Sequence, residues 1–315
     1  MSSLWTTSIL AVAAVLGACS ANEPTASEAP DAGTAEATAP SMPAAGGAGA
    51  LRLELANVMP LDGGVHYEGW VIVNGRPQST GKFNVNASGA VTPVGEPQRV
   101  DMSRAEAVVI TIEPAGDRDT TPSAVKLLGG PVSGGRAQLS TAFPMALGTD
   151  LAGARGSYIL ATPSNGMNTN ETSGLWFLNS PQGPKGPKVA SLDLPRLGAG
   201  WTYEGWAVIN GQPVSTGRFA TAAGADSSAR YSGSAATPPF PGEDYLHNAP
   251  SGLRFPTDLS GQMVVITAEP QPDFSPKPFP IKFLTHAIPS GARPLTPYMF
   301  ENKAGSLPRG TATLG

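Results

Sequence analysis

The sequence predicts an all-β protein: two tandem antiparallel β-sandwich domains of the immunoglobulin-like kind, following a disordered N-terminal tether. Two observations predict it. A stretch of seventeen residues that begins at Tyr67, YEGWVIVNGRPQSTGKF, recurs from Tyr203 as YEGWAVINGQPVSTGRF, with eleven positions identical, which indicates an internal duplication. In addition, the chain after residue 50 consists of short apolar runs separated by Gly and Pro, with no amphipathic helix. This pattern is typical of β-sandwiches.

The first 18 residues are expected to be a lipoprotein signal peptide. The apolar run at 9–16 is too short to cross a bilayer. It leads into Leu-Gly-Ala-Cys at 16–19, which resembles the lipobox of bacterial lipoproteins, where Cys19 would become the lipidated (palmitate-carrying) first residue of the mature protein. Small residues before the cleavage point fit a signal peptide. Cys19 is the single cysteine. The alternative is an ordinary secretory signal with an incidental cysteine.

Residues 19–50 are expected to form a disordered tether. The segment is rich in Ala, Pro, Thr and Glu, and it contains no basic and no aromatic residue. Such a composition cannot bury enough apolar surface to offset the entropy of ordering. The sequence therefore predicts a flexible linker between a lipid anchor and the folded part.

Each repeat is predicted to contain a β-hairpin. The strand that begins at Tyr67 is rich in aromatic and β-branched residues, and Asn74-Gly75 supplies a type I′ turn. Further strands follow, because VVITIEP at 108–114 recurs as VVITAEP at 264–270. We assign residues 51–145 to the first repeat. Residues 146–315 form the second, with an extra hairpin over 157–178 and longer loops.

The two repeats carry a family resemblance. LPRLGAGWTYEGW from Leu194, NGQPVSTGRF from Asn210 and VVITAEP from Val264 together resemble the extracytoplasmic C-terminal domain of anti-sigma-K factors, and residues 51–114 repeat the pattern. In that family the domain lies outside the membrane, joined by a transmembrane helix to a cytoplasmic sigma-binding part. The resemblance implies the fold and a binding or sensing role, here on a bacterial cell-envelope protein that faces outside the cytoplasm.

The duplicated aromatic and acidic residues are the first candidate site. Aromatic rings beside a carboxylate suit sugar or peptide binding, but their place within a hairpin strand favours packing with hydrogen-bonded polar ends. Two further carboxylates, Glu113 and Glu269, end strands; a carboxylate pair can hydrolyse glycosides, although a satisfied strand-end acid is the simpler interpretation. The repeated residues are Tyr67, Glu68, Trp70, Tyr203, Glu204 and Trp206.

Composition and motifs favour no enzyme class. We expect no catalytic residue, no cofactor and no metal, because His66, His247 and His286 are isolated in the sequence and lack metal-ligand spacing. No Gly-x-Ser-x-Gly elbow or phosphate-binding loop occurs. The net charge is −4 with 14% charged residues and no basic stripe, which argues against nucleic-acid binding.

The second repeat has two added loops, about 220–261 and 285–304, rich in Pro and aromatic residues. Long loops on a sandwich are often functional, so we predict that they form a partner-binding surface; the alternative is that their aromatics cover a sheet edge. The expected contacts are Tyr231, Tyr245, Phe255 and Tyr298.

Together these features predict a non-enzymatic lipoprotein held to the membrane by a lipid anchor, with an anti-sigma-factor-like domain that binds or senses an envelope protein or a glycan. Two other functions remain open. One is a cell-envelope hydrolase that uses a carboxylate pair. The other is a structural spacer without a ligand.

Overall fold

The computed structural model describes residues 50–315, except 96–97, 167–168, 184 and 274. This part of the chain is built almost entirely of β-strands, and every strand pairing in it is antiparallel. The all-β prediction is therefore confirmed. The helical content of the described residues is limited to three 3-10 turns, at Pro163–Asn165, Glu171–Ser173 and Ala304–Ser306.

The first repeat supplies seven strands. In chain order they are β1 (Leu51–Ala56), β2 (His66–Val73), β3 (Arg76–Val85), β4 (Val91–Val94), β5 (Ala105–Glu113), β6 (Lys126–Ser133) and β7 (Arg136–Ser140).

The rest of the chain supplies thirteen strands, many of them only two residues long. They are β8 (Arg155–Leu160), β9 (Leu175–Trp176), β10 (Leu178–Asn179), β11 (Val189–Ala190), β12 (Leu192–Asp193), β13 (Trp201–Ile209), β14 (Gln212–Phe219), β15 (Gly242–Glu243), β16 (Met263–Pro270), β17 (Lys282–Ala287), β18 (Tyr298–Met299), β19 (Glu301–Asn302) and β20 (Arg309–Leu314).

These strands form two main sheets that share one arrangement. The larger has the order β1-β20-β7-β6-β5-β2-β3-β4, and the second has the order β14-β13-β16-β17-β19. The order β3-β2-β5-β6 of the first repeat is thus reproduced as β14-β13-β16-β17 in the second. A third sheet, β12-β8-β9-β15 with β18 on β8, contains the extra hairpin, and β10 pairs with β11. The duplication read from the sequence therefore extends to strand order.

The turn chemistry explains both repeated hairpins. Asn74 and Gly75 have φ of 49° and 70°, and Asn210 and Gly211 have φ of 52° and 81°. Positive φ at both central residues is the signature of a type I′ turn, whose twist matches that of the flanking strands. The pairs Val73–Arg76 and Ile209–Gln212 close the two turns. The extra hairpin also forms, with Ile159 opposite Trp176.

The last strand departs from the boundary that the sequence suggested. Strand β20 is inserted between β1 and β7 of the first sheet, with Ala312 opposite Leu53 on one side and Ala137 on the other. In the second sheet the place next to β17 is taken by β19 instead. The chain end thus belongs to the sheet of the first repeat, and all described residues lie in one compact unit. The division into two domains, 51–145 and 146–315, stays a prediction.

A single main core unites the sheets. Strand β1 alternates buried and exposed residues, and its Leu53 packs in the same cluster as Tyr67 of β2 and Tyr203 of β13. Strands β2 and β13, however, are buried on both faces. Their second face carries Trp70 and Trp206, which are buried outside the main hydrophobic cluster. This second face positions the polar groups described next.

Candidate functional site

A buried polar cluster lies on the second face of the first repeat. Thr111 of β5 is opposite Glu68 of β2. Trp70 Nε1 donates to Thr111 Oγ1 at 2.9 Å, and the Thr111 hydroxyl donates to Glu113 Oε1. Glu113 Oε1 also accepts the backbone N–H of Ser123 at 3.0 Å. The Thr111 hydroxyl thus links Trp70 to the Glu113 carboxylate, and it also lies 3.4 Å from the backbone oxygen of Glu68.

A β-bulge aims a serine at Glu68. Gly69 pairs with Gly81, but Trp70 pairs with Ser79, so Thr80 is the extra residue of β3. The Ser79 hydroxyl donates to Glu68 Oε1 and accepts the N–H of Gly81 at 3.2 Å. Bulges often redirect a side chain in this way. The repeated Ser-Thr-Gly motif is thus the local cause of the Glu68 hydrogen bond.

The second repeat rebuilds the same network. Trp206 Nε1 donates to Thr267 Oγ1 at 2.9 Å, and Thr267 donates to Glu269 Oε1. Glu269 Oε1 also accepts the N–H of Phe279 at 2.8 Å. The Ser215 hydroxyl donates to Glu204 Oε1 across an equivalent bulge. Burial of Trp70 and Trp206, at 1% and 3% exposure, agrees with a packing role.

The cations of the two clusters differ. In the first repeat Lys82 Nζ reaches Asp117, at 2.9 Å from Oδ2 and 2.7 Å from the backbone oxygen. In the second, Arg218 bridges two acids: Nη2 lies 2.8 Å from Asp273 Oδ2, and Nε lies 3.2 Å from Glu204 Oε2. The guanidinium fork of Arg218 therefore bridges two acids in the second cluster, whereas both hydrogen bonds of Lys82 among the described residues go to Asp117.

Burial shifts the acidity of these carboxyls. Desolvation raises the pKa of Glu68 and of Glu204, against the lowering effect of their serine and cation partners. It raises the pKa of Glu269 to about 8. Low polarity disfavours the charged form of a carboxyl, so Glu269 is largely protonated at neutral pH.

The hydrolase alternative requires a carboxylate pair in an open cleft. Glu204 and Glu269 each have an oxygen within 4.8 Å of the other's, but their side chains are 4% and 0% exposed. A glycosidase needs room for a sugar between its two acids. The structure brings the acids together without giving a substrate access to them.

Histidine 66 is less isolated than its place in the sequence suggests. Its ring, Glu68 and Asp117 each offer an atom within 4.8 Å of the others. Along the chain His66 has no neighbour at metal-ligand spacing, but β2 and the loop after β5 bring distant acids beside it. His247 is exposed, and His286 Nδ1 lies 2.9 Å from the Tyr158 hydroxyl.

The second repeat contains a cavity of about 600 Å³. This volume is within the range of sites for small ligands. Its walls come from residues 159–188, around the extra hairpin, and from the two added loops. A separate apolar cluster of Ile159, Ala161, Trp176 and Leu178 contributes to the lining. Among the described residues, the lining is formed by Ile159, Ala161, Pro163, Gly166, Asn170, Glu171, Thr172, Trp176, Leu178, Lys188, Pro238, Pro294 and Leu295.

Leu295 is an unusual residue in the cavity wall. It has φ of 57° and is 38% exposed, and its backbone N–H donates to the Leu160 oxygen at 2.9 Å. A bulky side chain in the left-handed region is uncommon. Backbone outliers of this kind concentrate at binding sites. The partly exposed, apolar side chain of Leu295 in the cavity wall fits such a site.

The aromatic residues expected to contact a partner pack against one another instead. Tyr231, Tyr245 and Phe255 form a cluster with ring centroids 5.4–5.8 Å apart. Tyr245 is fully buried and Tyr231 nearly so, which argues against direct contact by these two rings. Tyr298 is half-buried and packs on Tyr158. These ring contacts hold the first added loop together, and binding of a partner by the two loops stays a prediction.

Three acids that the sequence did not single out fasten the first added loop. Asp244 accepts Trp176 Nε1 at 2.6 Å and Ser164 N–H at 2.8 Å. Glu243 accepts Tyr231 N–H at 3.1 Å. Burial raises the pKa of Asp226 to about 7. Their partners are up to 80 residues away, so no local spacing could have revealed them.

The lipidation prediction at Cys19 lies outside the described residues. Among the residues that the structure describes, no helix has the length and apolar character to cross a membrane.

Comparison with known proteins gives one match. A family model described as "Anti-sigma-K factor rskA, C-terminal" matches residues 4–126. The chain therefore contains a domain that resembles that of anti-sigma-K factors. The family is regulatory rather than enzymatic. A search of curated proteins and a search of solved structures each found no match.

Proposed function

We propose that this protein is a non-enzymatic, membrane-anchored envelope lipoprotein in which two anti-sigma-factor-like repeats display a protein-binding site. The family match over 4–126 supports the anti-sigma-like part. The Leu-Gly-Ala-Cys sequence ending at Cys19 supports the lipid anchor and a position outside the cytoplasm. The binding role is assigned to the second repeat.

The observation that carries the binding role is the origin of the cavity walls. Every described residue of the lining comes from 159–188 or from one of the two added loops. The first repeat shares the core strands but has no counterpart of these segments in its sequence. Shared strands explain a shared fold, whereas segments added to one copy and meeting around one cavity indicate a task specific to that copy.

The lining favours an apolar peptide segment as the occupant. It consists mainly of aliphatic residues, three prolines and Trp176, and its four polar side chains are those of Asn170, Glu171, Thr172 and Lys188. Apolar and aromatic walls with few polar groups suit apolar side chains, and Trp is a frequent anchor residue of protein interfaces.

Binding can be tested with a charge placed in the wall. Wild-type protein, Leu295→Asp and the control Met59→Asp are used to capture partners from solubilised native membranes. Met59 is 51% exposed in the first repeat. Asp tolerates left-handed backbone, so Leu295→Asp keeps the loop conformation. A protein retained by the wild type and by Met59→Asp but lost with Leu295→Asp supports the proposal. Equal recovery with all three, or no specific protein, contradicts it.

A further inference from the structure

The first repeat holds three potential metal ligands that face one another. His66 and Glu68 are two positions apart on β2, so their side chains share one face of the strand. Asp117 follows β5, next to which β2 lies. One atom each from His66, Glu68 and Asp117 lie within 4.8 Å of one another.

The hydrogen bond of His66 leaves a ring nitrogen ready to accept. Nδ1 lies 3.1 Å from the Gly64 carbonyl oxygen, and a carbonyl only accepts, so the ring proton is on Nδ1. The lone pair of Nε2 is then free. Nε2 is buried without a hydrogen-bond partner among the described residues. Fixing of the tautomer by a backbone carbonyl is the usual arrangement of metal-binding histidines.

Glu68 has a second such atom. Its Oε1 accepts from Ser79, while its Oε2 is buried and has no partner within the described part of the chain. Buried polar atoms are nearly always satisfied in native proteins, and an exception calls for an explanation such as an ion. The exposed fractions are 7% for His66 and 3% for Glu68. His66 Nε2 and Glu68 Oε2 are therefore two buried atoms, on neighbouring side chains, that one bound ion could satisfy.

We propose that His66 Nε2, Glu68 Oε2 and the Asp117 carboxylate bind a divalent transition-metal ion, for which Zn²⁺ is the appropriate probe. One imidazole nitrogen with two carboxylate oxygens is a donor set for borderline metals such as Zn²⁺. Mg²⁺ and Ca²⁺ take oxygen ligands and would leave the imidazole unused. The metal would satisfy both orphaned atoms at once.

Lys82 supplies the positive charge when no metal is bound. Its ammonium lies 2.9 Å from Asp117 Oδ2, and its side chain is 25% exposed. A lysine is a flexible point charge, so Nζ can turn to solvent and release the Asp117 oxygen to the ion. The bound ion would then supply the positive charge that the Lys82 ammonium supplied before it turned away.

The second repeat provides an internal comparison. It has Thr202 at the position of His66, and Arg218 donates to both Glu204 and Asp273. Glu204, Glu269 and Asp273 also approach within 4.8 Å, but no histidine belongs to this group, and the Arg218 guanidinium already occupies Glu204 Oε2 and Asp273 Oδ2. The proposal is therefore confined to the first repeat.

The test is a calorimetric titration of the chelator-treated protein with Zn²⁺. The wild type and the control His247→Ala, which removes an exposed histidine, should bind one ion per chain. Two variants each remove one proposed ligand: His66→Thr, which introduces the residue found in the second repeat, and Glu68→Gln. Each should weaken Zn²⁺ binding by about 100-fold, because even the loss of a residue that only orients a ligand can cost this much. Circular dichroism checks that the variants fold.

Three results would overturn the proposal. They are no stoichiometric binding to the wild type, unchanged affinity in folded His66→Thr, and loss of binding in His247→Ala. Should the variants fail to fold, X-ray absorption of the Zn²⁺-loaded wild type decides. One nitrogen ligand with the remainder oxygen supports the site, and a coordination shell without nitrogen refutes it.

Discussion

Arg218 lies 2.8 Å from Asp273 and uses the same guanidinium to donate to Glu204 at 3.2 Å. The acid pair of the second repeat is thereby closed by a single cation. At the equivalent place in the first repeat, the ion pair that Lys82 forms among the described residues is with Asp117. The two repeats share the Trp–Thr–Glu and Ser–Glu side-chain hydrogen bonds but differ in how a cation neutralises the acids.

The Arg218 bridge should contribute to stability. Arg218→Met leaves Glu204, which is 4% exposed, without its cation. Loss of one partner is costly for a buried pair, but the Arg218 side chain is 40% exposed, so we expect a loss of about 1–3 kcal/mol by urea denaturation. The control Arg155→Met breaks an exposed pair with Asp193 and should cost less than about 0.5 kcal/mol. Equal losses in the two variants would rule out the bridging role.

Glu269 should make stability depend on pH. Because burial raises its pKa from 4.5 to about 8, the folded state binds more protons than the unfolded state between these values, and this group's contribution to stability falls as the pH rises through the window. Glu269→Gln stays neutral and should gain stability relative to the wild type between pH 5 and 8.5. The control Asp62→Asn changes an exposed acid. A pH-independent difference for Glu269→Gln would show that its carboxyl titrates normally.

Gly205 should not tolerate a methyl group. A Cβ at this position would lie 2.5 Å from Phe177 Cε2 and 2.5 Å from Thr216 Oγ1. Phe177 is fully buried, so relief requires repacking, and Gly205→Ala should cost about 1–3 kcal/mol. Gly153→Ala is the control, because no atom lies within 4 Å of its added Cβ. Similar melting temperatures for the two variants would contradict the close packing of β13 against Phe177.

The repeated hairpins, their turns and the all-β class could be predicted because their signals are local. An Asn-Gly turn and a strand of alternating β-branched residues can each be recognised within about ten consecutive positions. The exchange of β20 into the first sheet could not. The sequences GRAQL at 135–139 and GTATL at 310–314 are similar, as expected of equivalent strands in two separate sheets, but the two strands lie side by side in one sheet.

The candidate sites were the least predictable part. His66 and Asp117 are 51 positions apart in the printed sequence, and only the pairing of β2 with β5 makes them neighbours. The inward packing of Tyr231 and Tyr245 depends on Phe255 and on the acids that hold the loop. Contacts between residues this far apart in the sequence are determined by tertiary packing, which a periodic pattern in the sequence does not predict.

The lipid anchor is testable by fractionation. Cys19→Ser removes the thiol that a lipid would modify, and it should move the protein from the membrane fraction to the soluble fraction of the envelope. A single acyl chain binds a membrane only weakly and multiple chains bind it stably, so the shift should be nearly complete. Met59→Asp, which leaves the N-terminal segment intact, should stay with the membrane. Retention of Cys19→Ser in the membrane would refute the lipoprotein assignment.

The most direct measurement of the central claim is site-specific photo-crosslinking in native membranes. A benzophenone amino acid replaces Leu295 in the cavity wall or, as the control, Met59 in the first repeat; both side chains reach solvent. If the second repeat binds a protein segment in this cavity, irradiation gives a discrete adduct from position 295 and none from position 59. No adduct at 295, or the same adducts from both positions, would contradict the assignment of the cavity as the binding site.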